Sequence, residues 1–312
     1  MKVFLANPRG FCAGVERAIE IVERAINKHG APIYVRHEVV HNQFVVNDLK
    51  QKGAVFVDEI NQVPEGGIVV FSAHGVSQKV RKDANSIAST IYDATCPLVT
   101  KVHKEVTRRQ KQNHQVILIG HAGHPEVEGT LGQSNDIKNI TLVESISDVE
   151  TLDFPIGTDI SYTTQTTLSV DDTKEIVESL QSKFSQIQSP KKSDICYATQ
   201  NRQDSVKAII NNSDMLLVLG SKNSSNSNRL REIAEKNKKP AYLIDGANDI
   251  NPAWFKGINT VGITAGASAP EILVQEVVSY LLDNGADEIA EISGVNESVH
   301  FPVPNTLREE RL

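Results

Sequence analysis

Cys12, Cys96 and Cys196 are the only thiols in the 312-residue chain. So odd and sparse a count argues against a disulfide framework. By number alone they read as inert buried thiols, because an unbridged cysteine packs like a small hydrophobe. As thiolates they suit two kinds of centre. A 4Fe–4S cluster usually takes four cysteines; held by three, it keeps one iron open to water, hydroxide or substrate. Zinc held by the same three thiolates and a water is the alternative. Structural zinc sites usually draw their ligands in close C-x₂₋₄-C pairs, whereas here the spacings are 84 and 100 residues. The clustered cysteine run of bacterial ferredoxins is absent too.

A second set of residues has the chemistry to bind an anion and move a proton. The stretch GHAGHPEVEGT, read as a loop, carries His121, His124, Glu126 and Glu128. Glu126 is a candidate acid that hydrogen bonding can tune toward neutral pH; the plain alternative is a solvated carboxylate, the usual fate of a lone glutamate. There is no H-E-x-x-H spacing, so a zinc-protease reading is poor. SKNSSNSN puts Ser224, Ser225 and Asn226 ahead of a helical pattern. Such residues cap helices, and a helix start offers N–H donors to an anion. Ordinary capping explains one such residue but not six in a row. TAGASAPE repeats the idea with Ser268, and TTQTTLSVDDT repeats it with Thr166. Together these indicate a phosphate or diphosphate held by hydrogen bonds more than by lysines. Neither a P-loop nor a G-x-G-x-x-G run is present. His41 and His74 end two strands. One histidine in such a place is as often structural as functional, but two in matching loops, with His124 in a third, favour anion or hydroxyl binding. His29, His37, His103, His114 and His300 lack such settings and read as surface or structural.

The elements that must position these groups repeat. Each cysteine lies where a strand gives way to a helix: KVFLA before Cys12, STIYDA before Cys96, and the turn SPKKSD before Cys196. Apolar residues then recur at helical spacing, as in Val15, Ala18, Ile19, Val22, Ala25 and Ile26. Pro97 is well placed for a first helical turn. A helix start lowers a thiol pKa and favours the metal-binding thiolate. From each cysteine the chain runs 29, 28 and 29 residues to His41, His124 and Ser225, each in a polar loop after a strand. A later strand in each third ends at His74, Thr166 or Ser268. The expected fold is α/β: three pseudo-equivalent units with small parallel sheets around a central pocket, which would hold an iron–sulfur cluster if the three thiolates bind one rather than zinc. The expected units are 13–96, 97–193, and 1–12 with 194–282, followed by a C-terminal tail, 283–312. Ligands of open α/β sheets bind beyond the carboxyl ends of strands, which is where these loops lie.

Composition sets outer bounds. The length suits two or three α/β units. With 39% hydrophobic and 23% charged residues the chain reads as a soluble globular protein. A net charge of −7 argues against nucleic-acid or anionic-membrane partners. No apolar run approaches the roughly 18 residues that span a bilayer, and MKVFLANPRG lacks the look of a signal or transit peptide, so a cytoplasmic location is expected. The oligomeric state is not legible.

NPRGFCAGV, RHEVVHN, FSAHGVS, DATCPLVTKVH, GHAGHPEVEGT, TQTTLSVDDT, GSKNSSNSNRL and TAGASAP resemble the ordered motifs of the LytB/IspH family of 4-hydroxy-3-methylbut-2-enyl diphosphate reductases, from Met1 to about residue 282. The resemblance implies the last step of the methylerythritol phosphate route to isoprenoids: reductive loss of an allylic hydroxyl to give isopentenyl and dimethylallyl diphosphate. It implies a 4Fe–4S cluster on Cys12, Cys96 and Cys196, with the substrate hydroxyl on the open iron and a 3Fe–4S form after oxidative loss of that iron. It implies that His41, His74, His124, Ser224, Ser225, Asn226 and Ser268 hold the diphosphate, and that Glu126 delivers protons with Thr166 near the hydroxyl. An external ferredoxin or flavodoxin would supply electrons, since the chain carries no flavin or nicotinamide motif. The residues by themselves also admit a redox-neutral cluster hydro-lyase, a zinc hydrolase of a phosphorylated substrate, and a non-catalytic cluster-carrying protein. Reductant dependence, metal analysis and turnover distinguish these.

Overall fold

The computed structural model describes residues 1–134 and 136–308; Asn135 and the end of the tail, 309–312, lie outside the described residues. In chain order the strands and α-helices are β1 (Lys2–Leu5), α1 (Ala13–His29), β2 (Ile33–Arg36), α2 (Gln43–Lys52), β3 (Ala54–Val57), β4 (Ile68–Phe71), α3 (Gln78–Ile87), β5 (Thr90–Asp93), α4 (Pro97–Lys111), β6 (Gln115–Ile119), α5 (Pro125–Leu131), β7 (Ile140–Val143), α6 (Ile146–Thr151), β8 (Ile160–Thr164), α7 (Val170–Lys183), α8 (Tyr197–Ile210), β9 (Met215–Leu219), α9 (Ser225–Lys236), β10 (Ala241–Ile244), β11 (Thr260–Ala265), α10 (Glu271–Asp283) and β12 (Glu288–Glu291). The chain packs as two compact units. The first holds Met1–Glu16, Val40–Asp48 and Tyr197–His300; the second holds Arg17–Val39, Leu49–Cys196 and Phe301–Leu312.

The strands form three sheets, ordered β3-β2-β4-β5, β7-β6-β8 and β10-β9-β11-β1-β12, and every pairing is parallel. Parallel neighbours need long crossovers, which the helices supply. One pattern recurs. The strand that follows each cysteine's helix (β2, β6, β9) is flanked by the next strand on one side and by the one after that on the other. The direction in which strands are added therefore reverses beside this strand, which makes the switch point where α/β sheets bind ligands.

Sequence alternation shows why these sheets are covered on both faces. Along β9, Met215, Leu217 and Leu219 join an apolar cluster with Val261, Ile263, Val274 and Val277, while Leu216 and Val218 join another with Val206, Ile209 and Leu230. In β6, Ile117 and Ile119 pack with Leu180, and Val116 and Leu118 with Val106. Apolar runs such as MLLVL and QVILI are the expected signature of parallel strands buried on both sides. Truncating one such leucine to alanine typically costs about 2–5 kcal/mol. The tail is not featureless: β12 extends the first unit's sheet beside β1, with Lys2 opposite Glu288. Among the described residues no helix is long and apolar enough to cross a membrane.

Candidate active site

Each cysteine stands directly before a helix. The Cys12 carbonyl accepts the Glu16 N–H at 3.0 Å and opens α1; the Cys96 carbonyl accepts the Thr100 N–H at 2.9 Å and opens α4, with Pro97 at the first helical position. Cys196 immediately precedes α8. All three are half-buried and none is in a disulfide. Burial pushes the Cys12 thiol up, outweighing the pull of the Arg202 charge and of the Val15 and Gly14 N–H groups; Glu297 adds to the rise. The helix start thus acts as the sequence leads one to expect, but desolvation wins at this thiol. A metal bound there would take the thiolate and release the proton. Half-buried thiols at helix starts are the soft donors that an iron–sulfur cluster takes, one sulfur per iron. Among the described residues no group of three or more His, Cys, Asp or Glu side chains is gathered to hold one metal ion.

In the second unit the polar groups converge on a carboxyl. Glu126 is only 2% exposed. Its Oε1 accepts the Thr166 N–H at 2.6 Å and its Oε2 accepts the Thr166 hydroxyl at 2.9 Å. Burial drives its pKa up and nearby Asp194 adds to the rise, while the two Thr166 bonds oppose it; the outcome is a carboxyl pushed up to about 7. It lies in α5, not in a loop as the sequence suggests: His124 caps the helix and Pro125 starts it. His124 accepts the Glu126 N–H on Nδ1 at 3.1 Å, which leaves the ring proton on Nε2. His74 packs edge-on to His124, ring centroids 5.7 Å apart. Gly129 lets α5 come this close, since a Cβ there would sit 3.3 Å from the Gly75 backbone. Main-chain bonds tie this cluster to two thiol-bearing residues. Cys196 N–H donates to the Thr166 carbonyl at 3.0 Å, and Cys96 N–H to the Ala73 carbonyl at 2.9 Å.

In the first unit the polar groups are hydroxyls and amides around a helix start. Ser224 caps α9, accepting the Ser227 N–H at 3.3 Å and its hydroxyl at 3.0 Å. Ser225 begins the helix, half-buried. Buried Asn226 accepts the Ala267 N–H at 2.9 Å and lies 3.4 Å from the Thr199 hydroxyl. The Ser268 hydroxyl donates to the His41 carbonyl at 2.8 Å, and Asn223 Nδ2 is 3.2 Å from His41 Nδ1. Cys12 joins this group through its N–H, 3.2 Å from the Ala267 carbonyl. Gly220 and Gly266 allow the first turn of α9 to rest on the ends of β9 and β11. A Cβ on either would fall within 2.1 Å of the Ser227 hydroxyl oxygen.

The structure thus brings Glu126, Thr166, His124 and His74 together in one unit, and His41, Asn226, Ser268 and the Cys12 backbone in the other. His103 and His114, read as structural or surface, are buried. Sequence reasoning missed Asp194, which is buried, accepts the Thr163 hydroxyl at 2.7 Å and lies 3.0 Å from Lys101. It also missed Arg202. The one available signal was its place on the face of α8 shared with Val206 and Ile209.

A family model described as LytB protein matches residues 3–282. A 4-hydroxy-3-methylbut-2-enyl diphosphate reductase of Ruthia magnifica subsp. Calyptogena magnifica is 68% identical over 99% of this chain and 100% of its own length. One from Pseudomonas aeruginosa strain LESB58 is 58% identical over the whole of both chains. Among solved structures, the E-1-hydroxy-2-methyl-but-2-enyl-4-diphosphate reductase from Plasmodium falciparum superposes with a TM-score of 0.94 at 39% identity, covering 98% of this chain and 96% of its own. A structure described as (E)-4-hydroxy-3-methyl-but-2-enyl diphosphate reductase, the terminal enzyme of the non-mevalonate pathway, gives 0.64 at 31% identity over 90% and 99%.

Proposed function

This chain belongs to the LytB protein family, and on that premise we propose that it reductively removes the allylic hydroxyl of 4-hydroxy-3-methylbut-2-enyl diphosphate, giving isopentenyl and dimethylallyl diphosphate and water. Loss of the hydroxyl as water consumes two electrons and two protons. Cys12, Cys96 and Cys196 would hold a 4Fe–4S cluster with one iron lacking a protein ligand. When bound, such a cluster supplies electrons and a Lewis-acidic iron. With no nucleotide-binding motif in the chain, the electrons come from an external ferredoxin or flavodoxin. Loss of the exposed iron to oxygen would leave a 3Fe–4S form.

The observation that carries this reading is the buried Glu126–Thr166 pair. A carboxyl with a pKa near 7 is roughly half protonated at neutral pH and exchanges its proton readily there, which suits a general acid for a departing hydroxide. Thr166 engages both carboxyl oxygens and so orients that proton. His124 and His74 adjoin the acid; they and His41, Ser224, Ser225, Asn226 and Ser268 are assigned to the diphosphate. That anion is remote from the breaking bond, and holding it supplies orientation without chemistry. The repeated strand order supports division into the units 13–96, 97–193, and 1–12 with 194–282, followed by the segment from 283 onward. The test is an anaerobic assay of allylic diphosphate reduction with an artificial electron donor, alongside iron, sulfide and zinc analysis. Reductant-dependent formation of both products is expected. Stoichiometric zinc in a colourless protein, or turnover without a donor, overturns the reading.

A further inference from the structure

Among the described residues the most deeply buried cationic side chain lies outside those assigned so far. Arg202 of α8 is fully buried. Its Nε and Nη2 donate to the Gly10 carbonyl at 2.9 and 2.7 Å, its Nη2 to the Phe11 carbonyl at 2.9 Å, and its Nη1 to the Ala198 carbonyl at 3.1 Å. The remaining contacts form an ion pair with partly buried Glu297: Nη1 to Oε1 at 3.0 Å, and Nη1 and Nη2 to Oε2 at 3.3 Å. Glu297 lies beyond β12, 95 residues along the chain, and also accepts the Asn201 amide at 2.9 Å.

A buried ion pair is an expensive way to gain stability. An apolar pair of the same volume often does better, so such a pair calls for a role beyond holding the fold. Its contacts indicate that role. Two of the carbonyls gripped by Arg202 belong to the residues directly before Cys12. The same short loop is held from its other side by the end of β11, where Gly10 N–H meets the Ala265 carbonyl at 3.0 Å and Cys12 N–H meets the Ala267 carbonyl. Helix α8 adds Ser205, whose hydroxyl donates to the Pro8 carbonyl at 3.0 Å, and Tyr197, whose oxygen accepts the Ala13 N–H at 3.3 Å. Residues 8 to 13 are therefore pinned at four points by one helix, and the pin at the thiol carries the charge.

We propose that Arg202 and Glu297 are positioning residues for Cys12: the guanidinium fork fixes the loop that aims the thiol, and the pair sets the charge felt by a cluster bound there, so that the segment after β12 tunes how readily the cluster accepts an electron. This rests on the assignment of Cys12 as a cluster ligand. An electron enters less easily beside a partly buried carboxylate and more easily beside a guanidinium.

Three anaerobically purified variants, compared with wild type, test it. Glu297→Gln keeps the shape and removes the negative charge. Its cluster should stay bound with a midpoint potential shifted upward by about tenfold in the reduction equilibrium, about 59 mV for one electron. Arg202→Lys keeps the charge and loses the fork; it should lose iron to a chelator several-fold faster, with an altered EPR spectrum of the reduced cluster. The double variant Arg202→Met, Glu297→Met should unfold at the wild-type temperature or above yet bind less iron. Wild-type potential in Glu297→Gln, or wild-type iron retention and spectrum in Arg202→Lys, overturns the proposal. So does parallel loss of folding and iron in the double variant. Wild-type protein without iron and sulfide overturns the cluster assignment itself, and the positioning role with it.

Discussion

The two compact units solve opposite problems with their polar residues. Around Glu126 the second unit buries an acid, and its pKa is pushed up to about 7 because its charged form is poorly solvated. Around Ser224, Asn226 and Ser268 the first unit gathers hydroxyls and amides at the start of α9, donors whose strength does not depend on titration. On the proposed assignment, proton handling would rest on burial and anion holding on the geometry of a helix start. Acidity and substitution should therefore act on the two places differently.

The largest effect should come from removing a proposed cluster ligand. Cys96→Ser should lose iron and sulfide and more than about 100-fold in activity, beyond what outer-sphere changes do at metal sites; a variant with full iron and full turnover contradicts the ligand role. Glu126→Gln should retain the cluster and bind substrate, yet lose about 10²–10⁴-fold in kcat. Near-normal turnover would remove Glu126 from the proton path. On the other side, Asn226→Ala and Ser268→Ala should raise KM about 10–100-fold, the range of a hydrogen bond to a charged group, and leave the pH dependence of kcat unchanged. If either variant moves the pH profile, the division of labour between the units is wrong.

Acidity sharpens the contrast further. Activity should fall as pH rises past about 7, where Glu126 loses its proton, and that limb should vanish from the residual activity of Glu126→Gln. Stability should follow the same group. Its folded pKa is raised above the unfolded value near 4.5, so between the two the native state binds more protons than the unfolded state. The contribution is complete below about 4.5 and is lost as pH climbs through about 7, roughly 3 kcal/mol in all. Denaturant unfolding of wild type and Glu126→Gln across that window measures it; parallel curves would mean that the carboxyl is not perturbed. The smallest expected effect lies away from both places. Ser145→Ala removes the capping box of α6 and should cost about 1 kcal/mol with kcat unaltered.

Much of the frame was legible because its signals are local. Pro97 and the apolar spacing after each cysteine mark helix starts, and α1, α4 and α8 begin directly after the three thiols. The alternation of strands with helical patterns requires parallel sheets. What stayed hidden depends on distant residues. A lone glutamate in GHAGHPEVEGT reads as solvated; only its burial in the folded chain, with Asp194 sixty-eight residues on adding to the effect, lifts its pKa against the opposing pull of the two Thr166 bonds. Arg202 reads as an ordinary helix arginine until Glu297 and the carbonyls of Gly10 and Phe11 are known to surround it. Burial at Cys12 reversed the expected direction of its pKa, and burial is not written in spacing.

The position of β1 has a consequence for biosynthesis. The first strand made is an inner strand of its sheet, pairing through Val3 with Val261 on one side and Ile289 on the other. Neither neighbour exists until nearly all of the chain has been translated. The loop carrying Cys12, anchored to β11 and α8, must wait with it. Of the three thiols, the first to leave the ribosome is thus the one whose surroundings are completed last, and any metal loading through all three would follow their synthesis rather than accompany it.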